Sequence, residues 1–291
     1  MADQGLAPHD RAHDAYERPP TLAGALALLG RGGWRPLGGG TDLYPANGAG
    51  GLRGAILDLT AIPDLRGITA TPEGLRIGAA TSWAALARAD LPEGCAALQA
   101  AARQVGGRQV QEAGTVGGNL CNASPAADGV PPLLVLDAAV ELASQRGTRR
   151  LALADFILGP RRTARAPDEL VTAILIPAAA LSGRSVFLKL GARAHLVISI
   201  AMVAARVVLD HQGRIRAAAL AVGACGPVAC RLPAAEAAAL GRTPSDAARA
   251  LGPEHLAGLA PIDDIRATAD YRRRAALDLV RRALAVPPEA P

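Results

Sequence analysis

Three glycines followed by a hydroxyl and a carboxylate, Gly38-Gly39-Gly40-Thr41-Asp42, are the first candidate for chemistry along the 291-residue chain. Successive glycines let the backbone reach positive φ and turn several N–H groups toward one point, an anion nest that needs no lysine. Such a nest suits a diphosphate held at close range, although an ordinary glycine turn uses the same residues. No Lys-Ser or Lys-Thr follows the last glycine, so this is not a Walker A loop. Tyr44-Pro45 interrupts the chain too soon for a Gly-x-Gly-x-x-Gly turn that opens a helix. The second stretch runs from Gly114-Thr115-Val116-Gly117-Gly118-Asn119 through Cys121, Asn122, Ser124 and Asp128. It holds two of the chain's three asparagines. Hydroxyls, amides and a carboxylate beside glycine amides can hydrogen-bond a polyhydroxylated, phosphorylated ligand; a capped helix start uses some of the same groups.

Among 31 lysine and arginine residues, Lys189 is the only lysine. Arginine serves wherever a surface cation is needed, so a single lysine marks either chance or a place for a compact ammonium on a flexible stem. His195 offers itself as a proton donor, and equally as a structural histidine in a strand-rich segment. Arg108 and Gln109 read as supports of the second glycine stretch. Cys95, Cys121, Cys225 and Cys230 form no Cys-x-x-Cys pair and have no histidine at metal-ligand spacing, so buried thiols are expected, with no metal site.

The composition narrows the function further. Half of the residues are hydrophobic and a fifth are charged, which excludes a disordered chain. The net charge of +5 invites a nucleic-acid partner, but the arginines are scattered and aromatic residues are only 2%, so stacking platforms are lacking. The strongest apolar run, Leu196 to Ala205, stops at Arg206, short of the ~18 residues that a membrane span needs. The acidic first twenty residues lack the apolar stretch of a signal peptide, which points to a cytoplasmic protein without disulfides.

The elements that must position these residues read as three modules. Residues 1–18 are expected to be a polar tail. A helix over Thr21–Leu29, capped by Thr21, and a strand over Gly54–Leu59 frame the first glycine loop. Next come a strand at Gly74–Ala79, a helix at Thr81–Ala89 behind Thr81 or Ser82, and a helix at Cys95–Gln104. The polar, glycine-rich stretch Gly106–Asp128 follows. Strands at Leu133–Ala143, after the Pro131-Pro132 break, and at Leu170–Ile176 are expected in one mixed sheet. Beyond a boundary at Ala178–Gly183, strands at Val186–Leu190, Val197–Leu209 and Arg214–Val222, with a hairpin turn at Asp210–Gly213, precede helices at Pro233–Leu240, Pro244–Leu259 and Thr268–Leu284. Strands first and helices after make an α+β unit with a three-stranded antiparallel sheet.

GGGTDL near the start, GTVGGNLCNASPAAD in the middle, FLK at 187–189 and PIDDIRATADYRRR at 261–274 together resemble the FAD-binding medium subunit of the molybdenum hydroxylases. This is the family of xanthine dehydrogenase and carbon monoxide dehydrogenase, and the resemblance covers nearly the whole chain after the tail. It implies an α+β fold: a PCMH-type (VAO-like) FAD-binding fold with subdomains at 19–70 and 71–180, then a C-terminal α+β domain at 184–291. Leu37, Gly38, Gly39, Gly40, Thr41, Asp42 and Leu43 would wrap the FAD diphosphate. Thr115, Gly118, Asn119 and Asp128 would hold its other polar parts, with Asn122 and Ser124 beside them. Val105, Gly106 and Val171 would touch it through apolar or backbone atoms. Lys189 would lie by the flavin, where a cation stabilises the negative charge that reduction leaves near N1 and the C2 carbonyl. The loop Gly191–Leu196 has no acidic residue and assigns no NAD site.

The resemblance also implies partners: a large subunit with a molybdenum cofactor and a small one with two [2Fe–2S] clusters, in a dimer of heterotrimers. Electrons would pass through FAD to NAD⁺, a quinone or another acceptor. The competing readings are a free-standing FAD-dependent oxidoreductase of the same fold and a scaffold subunit without flavin.

Overall fold

The computed structural model describes residues 14–48, 51–194 and 196–285. The first module is a small parallel sheet. β1 (Ala15–Glu17) leads into α1 (Leu22–Leu29), β2 (Trp34–Leu37), α2 (Leu43–Asn47) and β3 (Ala55–Asp58), with β3 between the other two strands. Thr21 caps α1, its Oγ1 accepting from the Gly24 amide at 3.2 Å. Ala25 and Leu29 on the buried stripe of α1 pack with Leu57, Ile62 and Leu65. Residues 15–17 are not a loose tail: Tyr16 stands opposite Ile56 in the ladder, and its hydroxyl donates to the Asp58 carboxylate. Residues 1–13 lie outside the described residues.

The second module contains β4 (Ile68–Thr71), β5 (Gly74–Gly78), α3 (Trp83–Arg88), α4 (Ala96–Ala102), α5 (Arg108–Ala113), α6 (Val116–Asn122) and α7 (Val130–Val135). It continues through β6 (Ala139–Ser144), β7 (Gly147–Ala152), α8 (Leu153–Phe156), the β8–β9 hairpin (Ile157–Gly159, Arg162–Thr163) and β10 (Leu170–Pro177). Its sheet, ordered β4-β5-β10-β6-β7, is antiparallel throughout and not mixed. The expected strand Leu133–Ala143 begins inside α7 and is strand only from Ala139 onward. Pro131 and Pro132 stand in the first turn of α7, where a missing N–H costs nothing, and the chain turns at Asp137 with φ 49° before β6 begins. The stretch Gly106–Asp128 contains two short helices, α5 and α6. Ser82 is the cap of α3. Trp83, Leu98, Leu133 and Ile174 belong to the largest core, which also takes in Phe187, Met202 and Ala204 of the third module.

That module is a sheet of four strands, one more than expected: β11 (Arg184–Leu190), β12 (Ala201–Leu209), β13 (Ile215–Gly223) and the two-residue β14 (Cys230–Arg231), all antiparallel. Along β12, Met202 and Ala204 face the second module, while Val203, Ala205 and Val207 face a core under the helices. Burial on both faces explains the apolar run from Ile200 to Ala205, whereas Leu196 and Ile198 ahead of it are exposed. The strand starts only at Ala201, so 196–200 is an irregular segment. Helices α9 (Pro233–Ala239), α10 (Pro244–Ala250) and α11 (Ala269–Ala285) close the fold. The expected helix Pro244–Leu259 is cut at Gly252-Pro253, after which a 3₁₀ turn spans Pro253–Leu256. Among the described residues no helix is long and apolar enough to cross a membrane.

Candidate functional site

β2 ends when the Leu37 carbonyl accepts from the Leu59 amide at 2.9 Å, and the chain then leaves the sheet through the glycines. Among the described residues, no protein acceptor takes the amides of Gly38, Gly39, Gly40 or Thr41. Gly40 has φ +70°, a conformation that favours glycine. A Cβ on Gly39 would stand 1.7 Å from the Ala113 carbonyl oxygen, and one on Gly38 would stand 2.9 Å from Thr115 Oγ1. Bare backbone is thus the condition for these two loops to meet.

The second loop is anchored from behind. The Val116 amide donates to the Thr81 carbonyl at 3.0 Å and the Gly117 amide to the Ala79 carbonyl at 2.8 Å. Thr115 caps α6 by accepting from the Gly118 amide at 3.0 Å. Between the loops lies a cleft of about 360 Å³, lined by all seven residues from Leu37 to Leu43 and by Val105, Thr115, Gly118, Asn119 and Asn122. Gly39 and Gly118 therefore share one cleft. Asn119 Oδ1 is buried and has no hydrogen-bond partner among the described residues, which leaves an acceptor awaiting a donor. A smaller recess of about 200 Å³ shares Gly38, Thr115 and Gly118 with the cleft and adds Arg165, Leu170 and Val171.

Four sequence-derived candidates line neither space. Gly106, with φ +53°, shapes the turn beside Val105. The Ser124 hydroxyl accepts from the Ala126 amide at 3.3 Å and stiffens the loop. Asp128 and Lys189 form a buried ion pair, with Nζ 2.6 Å from Oδ2 and side chains 8% and 7% exposed. Lys189 Nζ also donates to the Gln104 carbonyl at 3.4 Å, next to Val105 on the cleft wall, and the Ser199 hydroxyl donates to Asp128 Oδ1 at 2.6 Å. Burial pushes the Asp128 carboxyl up from its ordinary value, against the pull of Lys189 and the Ser199 hydrogen bond. The solitary lysine is thus not a free cation but half of a pair formed across two modules. His195 lies outside the described residues.

Sequence reasoning passed over Trp83 and Arg161 and read Cys121 only as a buried thiol; all three are on the cleft lining. Arg161 follows Gly159-Pro160 at a hairpin tip with φ 59°, held by its amide on the Ala123 carbonyl at 3.0 Å; the Gly-Pro turn was the available signal. Cys121 is exposed, unlike the buried Cys95 and Cys225 and the half-buried Cys230. Arg108 and Gln109 sit on α5, outside the lining.

Comparison with known proteins gives this geometry a family. Residues 11–179 match the FAD binding domain in molybdopterin dehydrogenase, and residues 187–286 the CO dehydrogenase flavoprotein C-terminal domain. The chain is 32% identical over 264 residues to the xanthine dehydrogenase FAD-binding subunit of Escherichia coli O157:H7, covering 89% of this chain and 90% of that one. It is 33% identical over 279 residues to the carbon monoxide dehydrogenase medium chain of Afipia carboxidovorans, covering 92% and 94%. The solved structure of reconstituted CO dehydrogenase from Oligotropha carboxidovorans superposes with a TM-score of 0.84 at 29% identity, over 96% of this chain and 98% of that one. With both halves matched and the cleft lying within the first, the chain belongs to the FAD-binding subunits of the molybdenum hydroxylases, the xanthine and carbon monoxide dehydrogenase family.

Proposed function

We propose that the cleft holds FAD with its diphosphate against the Gly38–Thr41 amides and Thr115, and its hydroxyls toward Asn119 and Asn122. The ring end would lie toward Val105 and the Asp128–Lys189 pair. The residues present fit this group. Four unpartnered amides match phosphate oxygens, and the orphaned Asn119 Oδ1 matches a ribose or ribityl hydroxyl. Gly106 and Ser124 support the site through the backbone, and Val171 offers apolar contact from the adjoining recess. Bound FAD supplies a carrier that takes electrons singly and passes them on singly or in pairs. The protein's part is to grip the phosphates, exclude water from the ring with Val105 and with Val110, which also lines the cleft, and set its electrostatics through Lys189.

In this reading the chain carries no substrate chemistry of its own. It works with a large molybdenum-cofactor subunit and a small subunit bearing two [2Fe–2S] clusters, as a dimer of heterotrimers in the cytoplasm. NAD⁺, a quinone or another acceptor takes the electrons. The first two modules, 19–70 with β1 added and 71–180, would be the two subdomains of a PCMH-type fold, and 184–291 the C-terminal domain.

The observation that carries the proposal is that Gly38–Thr41, whose amides no described residue accepts, line one cleft with Thr115, Gly118 and Asn119. The test is to purify the full chain with its neighbours, measure flavin, iron and molybdenum per complex, and repeat with Lys189→Met. A yellow complex containing all three is expected, with Lys189→Met lowering both FAD content and midpoint potential. A colourless wild type refutes flavin binding; a yellow chain that never accompanies molybdenum points to a free-standing flavoprotein. If Lys189→Met leaves content and potential unchanged, the lysine has no electrostatic part.

A further inference from the structure

The stretch 261–274 lines neither the cleft nor the recess, yet it contains one of the most deeply buried charges of the protein. Arg272, on the first turn of α11, is 3% exposed. Its Nη1 donates to the Ile200 carbonyl at 2.6 Å and the Ala224 carbonyl at 3.1 Å, and its Nη2 donates to Asp264 Oδ1 at 2.7 Å. Asp264 is fixed in turn by the amides of Arg266 at 2.8 Å and Ala267 at 3.2 Å.

Both carbonyls belong to segments that touch the Asp128–Lys189 pair or the loop that carries Asp128. Ile200 follows Ser199, whose hydroxyl holds Asp128 Oδ1, and the Ile200 amide donates at 2.8 Å to the carbonyl of Leu190, the neighbour of Lys189. Ala224, at φ 60°, donates its amide to the Pro125 carbonyl at 3.0 Å, on the loop that carries Asp128. One guanidinium therefore joins the segment entering β12 to the segment leaving β13, and these two segments grip Ser124–Asp128 from either end. Only a planar fork with several fixed N–H groups can bridge two carbonyls and a carboxylate at once; an ammonium has neither the reach nor the geometry.

We propose that Arg272, oriented by Asp264, is a positioning residue for the flavin electrostatics: it acts through Ile200 and Ser199 to hold Asp128 and, with it, Lys189. This rests on the reading that the Asp128–Lys189 pair lies at the ring end of the FAD site. It gives the 261–274 stretch a task, that of setting a buried ion pair in another module.

The experiment compares wild type, Lys189→Met, Ser199→Ala and Arg272→Lys as full chains, reading FAD dissociation constant, flavin midpoint potential and thermal midpoint. Ser199→Ala removes one hydroxyl and spares the fold, which keeps the test sound if Arg272→Lys does not accumulate. The expected result is FAD bound about tenfold more weakly by Ser199→Ala and by Arg272→Lys, the loss typical of one hydrogen bond to a charged group. The potential should move in the direction that Lys189→Met moves it. If Lys189→Met shifts potential and affinity while Ser199→Ala and Arg272→Lys change thermal stability alone, Arg272 is a structural tie and the proposal falls. If Lys189→Met itself changes neither, the placement of the pair at the ring is wrong and the proposal falls with it.

Discussion

Gly39→Ala tests the meeting of the two loops most directly. Its Cβ would stand 1.7 Å from the Ala113 carbonyl oxygen, 2.4 Å from the Ala113 carbonyl carbon and 2.9 Å from Gly114 Cα. All three are backbone atoms, so no side chain can swing aside. Carbon–oxygen contacts settle near ~3.3 Å, so the loops must part by roughly 1.6 Å. Overpacking of this kind costs about 1–3 kcal/mol. If the site recovers its geometry only by absorbing that cost, FAD binding weakens by about fivefold to about 150-fold. The assay is titration of the apo full chain with FAD, followed by flavin fluorescence, with a thermal melt of each variant. Gly258→Ala serves as control, because among the described residues no atom beyond its chain neighbours lies within 4 Å of its Cβ and its φ is outside the left-handed region. Wild-type affinity in Gly39→Ala would refute the cradle. A lowered melting temperature with unchanged affinity would show that the loops pack as described but do not hold the diphosphate.

Asn119→Leu removes an acceptor that has no partner among the described residues. The apo chain should keep its melting temperature within the ordinary range of a surface change, while FAD binding, measured by the same titration, weakens about tenfold. Hydrogen bonding from the Arg266 amide first, and then the Arg272 and Arg266 side chains, lowers the Asp264 carboxyl from 3.8 to about 2. A depressed carboxylate contributes stability above its unfolded value, and the contribution is lost as pH falls through the folded one. Melting curves should therefore show a loss in wild type between about pH 5 and pH 2 that Asp264→Asn lacks; identical acid limbs would count against the Asp264–Arg272 pair.

The glycine loop was legible because Gly38-Gly39-Gly40 has few purposes other than letting backbones or ligands come close. α1 was legible from its cap and apolar spacing, and the β12–β13 hairpin from Asp210–Gly213, where the Asp210 carboxylate accepts from the Gln212 and Arg214 amides. α7 was not: an apolar run buried on every side carries no period, and two prolines mark a helix start as well as a break. β14 is two residues long and exists only because β13 offers an edge. The Asp128–Lys189 pair joins residues 61 apart, a separation at which no local pattern operates, so the sequence could single out the lysine without naming its partner. Arg161 looked like surface charge because only the hairpin's docking on Ala123 turns it toward the cleft.

The two family matches meet between residues 179 and 187, and the Asp128–Lys189 bond spans that joint. Severing the chain there would strand a carboxylate in apolar surroundings with no counter-ion, and would bare the face that Phe187, Met202 and Ala204 cover. Descent can treat the halves as separate blocks; thermodynamics cannot. A chimera that borrows one half from a relative keeps this buried pair only if that half supplies the matching ion.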